Sequence, residues 1–500
     1  MTLAVVEVIP FHYAMPLLEK YPQLQIIRDI SKKEKISVFL VGGFLRDSLL
    51  GRRATDLDFA VERQALKIAK AFAKQIRGAF VLLDEDRGCA RIAKKIKGEL
   101  YTFDFADFRA DTLRKDLSHR DFTVNTLAID ICALAPSDDI ISSIKDYKGG
   151  MKDLHARRIK MVSARAFKED PLRMLRAFSL RASLGFRIEK DTLDRIKKES
   201  ELITIVSYER ICTELFKILG AKDAGRNLKA LARVGLLDKI IPQVKVMYGC
   251  RQKGTYHHLD IWPHSLETVV QLDKIISTHS RQGWVGIGGE DMAAYLDEPL
   301  GGNRSRMALM KLAALLHDIG KPDTRRQERG KLSFHGHERA GQHIVRHIAG
   351  MLKLSTKERF AIEDMVRWHL RPGYLSDLKQ VSERAVYRYF RDAKEEAVSI
   401  LLLSMADQKA TRGPLTSERD QRRHEELCKR LIKKYFYKKR EKPFVRLING
   451  YDLINTLKLK PSPLFSEILS AVEEQQALGK IATKQDALLF AKKMLNGIII

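Results

Sequence analysis

Cysteine is scarce in this 500-residue chain. Its five cysteines, Cys89, Cys132, Cys212, Cys250 and Cys428, are odd in number and far apart, with no paired zinc spacing and no disulfide framework. That argues against a disulfide-stapled scaffold and fits a reducing compartment, so a cytoplasmic protein is expected. Long apolar runs are also missing. None approaches the roughly 18 residues a membrane-spanning helix needs. The opening MTLAVVEVIP carries Glu7 and no basic stretch ahead of a long apolar run. Neither a membrane span nor a secretory leader is therefore expected. Low-complexity tracts and internal repeats are lacking, and an apolar content of 45% argues against disorder.

Positive charge is in excess. Lys and Arg number 90 against 63 Asp and Glu, a net charge of +27. Such a field attracts polyanions, with nucleic acid the leading partner. The length exceeds one ordinary core, so two to four domains are expected. Residues 15–30 read as a helix. Residues 37–41 read as a buried strand, running into Gly42-Gly43 and a helical segment over 44–50 that Gly51 stops. Residues 56–61 alternate polar and apolar as a half-buried strand does. A helix over 63–76 and strands over 80–83, 89–92 and 100–105 complete a small mixed sheet ending near residue 150. From about 156 the pattern is helical, including 189–199, 208–219, 306–317, 337–353, 358–369, 379–408 and 418–442. The glycine-rich stretch 281–305 reads as an exposed loop. The expected class is α+β: a mixed-sheet head followed by helical neck, body and tail.

Asp56 and Asp58 lie two apart on the strand over 56–61, which points both side chains to one face. Carboxylates that close repel unless a cation lies between them. Mg²⁺, a hard ion taking few carboxylates plus phosphate oxygens, suits the pair, and two such ions suit phosphoryl transfer. A third carboxylate is expected from a neighbouring strand: Asp104, with Asp107 as the fallback. The same D-x-D spacing also fits a solvated strand face. Gly42 and Gly43, following a strand, favour the site, because glycines let the backbone approach phosphates and present N–H groups. No G-K-[ST] follows, so this is no Walker loop. Arg46 can reach phosphate, and Asp47 suits a local salt bridge as well as a catalytic role.

Residues 40–60 (LVGGFLRDSLLGRRATDLDFA) resemble the head of class II tRNA nucleotidyltransferases and bacterial poly(A) polymerases. Further segments follow in that family's order. His119–Leu127 (HRDFTVNTL) is similar to its R-R-D-F-T-[IV]-N-A-L, with His119 for the first Arg and Thr126 for Ala. The resemblance implies that Arg120, Asp121 and Asn125 address the ribose; the Asp121–Asn125 spacing is one helical turn. Asp146–Leu154 is similar to D-x-x-G-G-x-x-D-L, implied to be a hinge around Gly149-Gly150. Glu169–Arg176 is similar to E-D-P-x-R-x-x-R, implying that Asp170 and Arg173 form an amino-acid template for the incoming base. Three apart, they would share a helix face. A carboxylate accepting an amine, beside a guanidinium donating to a ring acceptor, can read both cytosine and adenine. Arg176 and Arg181 would face triphosphate or primer. Ser207–Glu214 is similar to a neck motif, with Ser207 as N-cap and Arg210–Glu214 as an i,i+4 pair. Residues 109–118, with Arg109 and Arg114, stand where the family has a flexible loop that favours A transfer.

His264, His317-Asp318 and Asp407 resemble the H…HD…D order of HD phosphohydrolases, most closely at 315–322 (LLHDIGKP). Imidazole and carboxylate ligands suit Mn²⁺, Ni²⁺, Co²⁺ or Fe²⁺. His337 and His369 stand where extra ligands often lie, and Lys321 would be near a bound phosphate. His335 reads as a surface residue, His257 and His258 as ordinary polar ones. Residues 429–446 interleave Lys433, Lys434, Lys438, Lys439, Arg440 and Lys442 with Tyr435, Phe436 and Tyr437. That suits a phosphate backbone with stacking, or a solvated linker helix. The expected division is a head over 1–150, a neck over 151–220, a body over 221–258, an HD domain over 259–415 and a basic linker with RNA-binding tail over 416–500. The expected activity is template-free addition of nucleotides to the tRNA 3′ end, of the terminal A or of all of CCA, from ATP and CTP. A poly(A) polymerase and an HD phosphohydrolase with an RNA-binding head are the alternatives. Oligomeric state is not readable from the residues.

Overall fold

The computed structural model describes residues 16–252, 259–282, 289–302, 304–328, 331–411, 417–440 and 445–498. His257, His258 and Lys442 lie outside them. The chain forms two compact units: one runs through Glu214 and includes Arg233–Ile240, the other comprises Leu215–Ala232 and Ile241 onward.

The first unit carries the expected mixed sheet. Its strands are β1 (Val38–Val41), β2 (Asp56–Val61), β3 (Ala79–Asp84), β4 (Cys89–Ile96), β5 (Glu99–Asp107), β6 (Ala128–Asp130) and β7 (Ile144–Lys145). They lie in the order β3-β4-β5-β2-β1-β6-β7. Only the central β2–β5 pair is parallel; the other neighbours are antiparallel. The helix Ala65–Ile76 explains which face is which. It buries Ala65, Ile68, Ala69, Phe72 and Ala73, an i, i+3, i+4, i+7, i+8 stripe. Phe72 meets Phe103 edge-on at 5.0 Å and Phe105 at 5.7 Å. Phe59 of β2 stacks on Phe105 at 4.7 Å. Leu57, Phe59, Phe103 and Phe105 are all buried, each worth about 1.5–3 kcal/mol of apolar burial. Strand alternation then puts Asp56, Asp58, Thr102 and Asp104 on the opposite face.

The second unit is helical where the apolar spacing indicated, including Arg306–Leu316, His337–Met351, Thr356–Trp368 and Glu418–Arg440. The expected helix over 379–408 is three pieces: Glu383–Ala393, a 3-10 turn over Lys394–Glu396, and Ala397–Ala410. Within 281–305, the described residues are not a plain loop. Gly289–Asp297 is a helix burying Met292, Tyr295 and Leu296, and Pro299–Gly301 pairs with Arg304–Ser305; apolar residues at helical spacing outweigh the flanking glycines. The tail helices Gly450–Asn455, Leu464–Ala477 and Lys484–Ile498 enclose a core of Ile448, Leu453, Ile468, Val472, Ile481, Ala487 and Ala491. No helix among the described residues is long and apolar enough to cross a membrane.

The Gly149-Gly150 pair is tightly held. The Asp146 carboxylate accepts from the N–H groups of Lys148, Gly150 and Met151 at 2.8–3.2 Å. Gly149 is left-handed at φ +74, with open space around an added Cβ, whereas at Gly150 that atom would lie 2.4 Å from the Thr123 carbonyl oxygen. Gly149→Ala should therefore cost about 1 kcal/mol for conformation alone. Gly150→Ala should cost about 2–3 kcal/mol, because a backbone atom must move. Urea midpoints of the two variants, measured side by side, check the order.

Candidate active site and metal centre

Backbone register assembles the head site. In the parallel pair Asp58 stands beside Asp104 and Asp56 beside Thr102; in the antiparallel pair Val41 stands beside Asp58. The third carboxylate expected at Asp104 is thus adjacent to the D-x-D pair. Asp107 is turned elsewhere, accepting from the Ala65 N–H at 2.7 Å. Burial pushes Asp58 up to about 6; Asp104 and Asp56 push the same way, against Arg120 and Arg176. A carboxylate so raised, with two others beside it, fits a divalent cation. Gly42 has φ +86, and a Cβ there would lie 2.8 Å from the Asp58 carboxylate and 3.1 Å from the Arg120 guanidinium. Only glycine fits this cradle. At Gly43 an added Cβ would press on the Arg46 guanidinium at 3.3 Å.

Beside the carboxylates runs a buried polar chain. Arg46 donates twice to Asp47, at 2.9 and 2.8 Å, and to the Asn125 side-chain oxygen at 2.6 Å. The Asn125 amide donates to Asp121 at 2.9 Å, and Arg176 donates to the other Asp121 oxygen at 3.0 Å. Burial alone would raise Asp121, but Arg176, Asn125 and the Phe122 N–H outweigh it and hold the carboxyl below its ordinary range. Asp121 and Asn125 meet although they are not on one α-helix. Asp121 precedes the extended Phe122, and Asn125 closes a single 3-10 turn over Thr123–Asn125.

The base-template expectation needs a similar correction. Asp170 is extended (φ −149) and lies ahead of the helix Leu172–Leu184, which Pro171 opens, so Asp170 and Arg173 do not share its face. Proline at the helix entry excludes Asp170 from the helix. The Asp170 carboxylate accepts from Arg210 at 2.8 Å. Arg173 donates to the His119 carbonyl at 2.5 Å, the Ala166 carbonyl at 3.0 Å and Glu169 at 3.4 Å. Arg210 thereby pairs with Asp170, while Glu214 accepts from Ser179 and faces Arg176 at 3.7 Å, replacing the expected Arg210–Glu214 pair. His119 pairs with Glu169 at 3.2 Å. The 109–118 segment ends in a helix, Leu113–Ser118, capped by Thr112; Arg114 is exposed on it, and Arg109 donates to Asp116 and the His119 carbonyl.

Sequence reasoning missed Arg91. It stands opposite Asp104 on β4 and donates to both its oxygens, at 2.7 and 2.6 Å. Its signal was present: Arg91 is the polar residue between buried Ala90 and Ile92, which places it on the acidic face. Thr102, donating to Asp56 at 2.5 Å, was missed for the same reason.

The second unit gathers the histidines. His264, His317 and Asp407 converge, as do His317, Asp318 and His369. His264 Nε2 lies 2.9 Å from Asp407, and His317 Nε2 3.3 Å from Asp318. His337 Nε2 lies 3.4 Å from both Asp318 and His369 Nε2. His317, His337 and His369 each place Nδ1 against the carbonyl three residues back (Ala314, Phe334, Val366) at 2.7–2.9 Å. Nδ1 therefore carries a proton in each ring, which leaves Nε2 as the atom that faces the centre. His317 Nε2 is buried without a hydrogen-bond partner. Burial pulls His317 down, but Asp318 and Asp407 outweigh it and push it up to about 10; burial, then His317 and His337, push His369 down to about 3. Two carboxylates that favour positive charge on His317, beside a His369 that resists a proton, fit a site built for a cation. Lys321 donates to Asp318 at 2.7 Å and to Gln252 at 2.8 Å. His335 is exposed, as expected.

Comparison with known proteins places this geometry. Family models match in order: the poly A polymerase head domain over 38–160, the "Probable RNA and SrmB-binding site of polymerase A" over 185–247, the HD domain over 285–407 and the tRNA nucleotidyltransferase domain 2 over 351–491. An A-adding tRNA nucleotidyltransferase of Deinococcus radiodurans is 31% identical across 91% of this chain and 94% of its own. The chain belongs to the tRNA nucleotidyltransferase family. A CC-adding tRNA nucleotidyltransferase of Thermus thermophilus is 30% identical over 90% of the chain and 92% of its own length. A solved CCA-adding enzyme in complex with ATP shares the fold, with TM-score 0.62 at 20% identity over 96% of this chain and 94% of that one. A nucleotidyltransferase head and an HD domain imply use of divalent metal.

Two outcomes follow. With Asp58 raised to about 6, a cation competes with a proton at pH 5 and not at pH 7.5. Mg²⁺ affinity at the head should fall about tenfold at the lower pH, in calorimetric titrations from which Asp58→Asn is subtracted. In the second unit, His317→Ala should strip co-purifying transition metal, by elemental analysis, and His335→Ala should not.

Proposed function

We propose that this chain adds nucleotides from nucleoside triphosphates to the 3′ end of tRNA without a nucleic-acid template, the product being the terminal A or the whole CCA. The placement of Asp56, Asp58 and Asp104 on one sheet face beside the Gly42 bend carries this reading. Two Mg²⁺ ions, held by these carboxylates, would activate the attacking 3′-hydroxyl and steady the leaving pyrophosphate. Around them the chain's own groups orient the reactants. Gly42 and Gly43 admit the triphosphate close to the backbone, and Arg46 and Arg120 face its charge. Asp121 and Asn125, fixed by Arg46 and Arg176, bond the ribose hydroxyls and discriminate against a sugar lacking the 2′-OH. Asp170 and Arg173 read the base by accepting from its amino group and donating to its ring acceptor. For this the base must displace Arg210 from Asp170, and Arg173 must leave the His119 carbonyl. The division into head, neck, body, HD domain and tail over the ranges given above is part of the proposal.

A second activity has its own observation. The converging Nε2 atoms of His264, His317, His337 and His369, with Asp318 and Asp407, suit Mn²⁺, Ni²⁺ or Co²⁺. Lys321 beside Asp318 would face a phosphate, so a phosphomonoester or cyclic phosphate is the expected substrate class.

Purified protein incubated with tRNAs lacking CCA, CA or A, and with each triphosphate, should extend them by the missing residues and stop. Growth beyond one adenosine on unrelated RNAs would point to a poly(A) polymerase. Asp58→Ala should lose about a thousandfold or more of extension. Asn125→Ala should raise use of 2′-deoxy-ATP relative to ATP by about tenfold.

A further inference from the structure

The basic, aromatic stretch near residue 435 sorts into two groups of side chains. Phe436 is buried and meets Tyr435 edge-on at 5.4 Å; it belongs to the core and only borders the smaller of two adjoining cavities. Tyr435, packed against Tyr295 at 6.0 Å, instead forms one wall of a cavity of about 500 Å³, with Phe390 beside it. A second cavity of about 390 Å³ adjoins, sharing Glu298 and Lys439. This space suits one nucleotide.

Charge is distributed to match. At the cavity floor Arg306 is 1% exposed and bonded by Glu298 and Glu396, so its charge is neutralised. The rim holds Lys394, Lys438 and Lys439, all exposed. Among the described residues none of the three has a carboxylate within ion-pair distance. Their neighbours Lys434 and Arg440 are paired, with Glu383 and Asp291. Three unpaired lysines thus stand where the aromatic wall opens, while Lys433, also without an ion pair among the described residues, lies over the Tyr437 ring. Lys438 Nζ sits 5.8 Å over the Phe390 ring, holding its charge on the face a base would cover. Lys394 reaches the rim from the end of the helix Glu383–Ala393. Its backbone has φ 49 and ψ −129, a conformation that non-glycine residues rarely adopt.

We infer that this cavity binds a nucleoside phosphate, either a free nucleotide or one nucleotide of an RNA chain, at a site separate from the head carboxylates. The base stacks on Phe390 and Tyr435. The phosphate takes Lys394, Lys438 and Lys439, with Lys438 swinging off the ring it caps. Glu298 and Glu395 accept from the base's amino group.

Photo-crosslinking of the full chain tests this, with 8-azido-AMP as the free nucleotide and 4-thiouridine-substituted tRNA as the RNA. Peptide mapping should find label on the segments holding Phe390 or Tyr435 with at least one probe, and which probe labels names the source. Lys394→Gly removes a charge while giving the backbone the residue it favours, so loss of folding cannot explain its effect. It should reduce that label about threefold, and Lys438→Glu with Lys439→Glu about tenfold or more, with head labelling unchanged. No label on either segment with either probe, or label indifferent to these variants, overturns the proposal. Label here in a protein that fails to extend tRNAs lacking CCA, CA or A would overturn only the proposed nucleotide transfer.

Discussion

The pairing of β2 with β5 is the constraint on which the head depends. Phe59, Phe103 and Phe105 lock the two strands to the helix Ala65–Ile76 from one side, and Asp56, Asp58 and Asp104 are consequently presented on the other. A slip of one residue would bury the carboxylates and expose the phenylalanines. The hydrophobic face therefore pins an arrangement that electrostatics alone would drive apart. Arg91 and Arg120 temper the repulsion, and Gly42 keeps the adjoining backbone close against Asp58.

The helical unit gathers its charged groups by other means. Carbonyl groups three residues back hold the imidazoles of His317, His337 and His369 in one tautomer. Their Nε2 atoms then turn toward Asp318, and that of His317 toward Asp407 as well. In both sites the second ring of contacts is as specific as the charged groups themselves. The aromatic cavity beside the helix Glu418–Arg440 follows a different logic, with buried charges neutralised and unpaired ones kept at the rim.

Much of this was legible in the residues. Period-two alternation gave β2 and β5 and the face of their carboxylates, and the order of histidines and aspartates gave the helical centre. Less legible was anything set by partners distant in sequence. Asp170 reads as a helix-face partner of Arg173 until Pro171 is seen to open the helix, and its bond to Arg210 spans 40 residues. Arg91 was legible only in part: alternation with Ala90 and Ile92 put it on the acidic face, but only the antiparallel register of β4 with β5 sets it against Asp104. Phe436 reads as a stacking residue because helical position alone does not say which ring is buried.

The central claim is that Asp56, Asp58 and Asp104 share two divalent ions. Anomalous diffraction from crystals grown with Mn²⁺ and a non-hydrolysable ATP analogue tests it most directly. Two manganese peaks bounded by these carboxylates, with Asp104 released from at least one of its bonds to Arg91, are expected. A bound analogue with no peak within ligand distance of Asp56 or Asp58 would contradict the account.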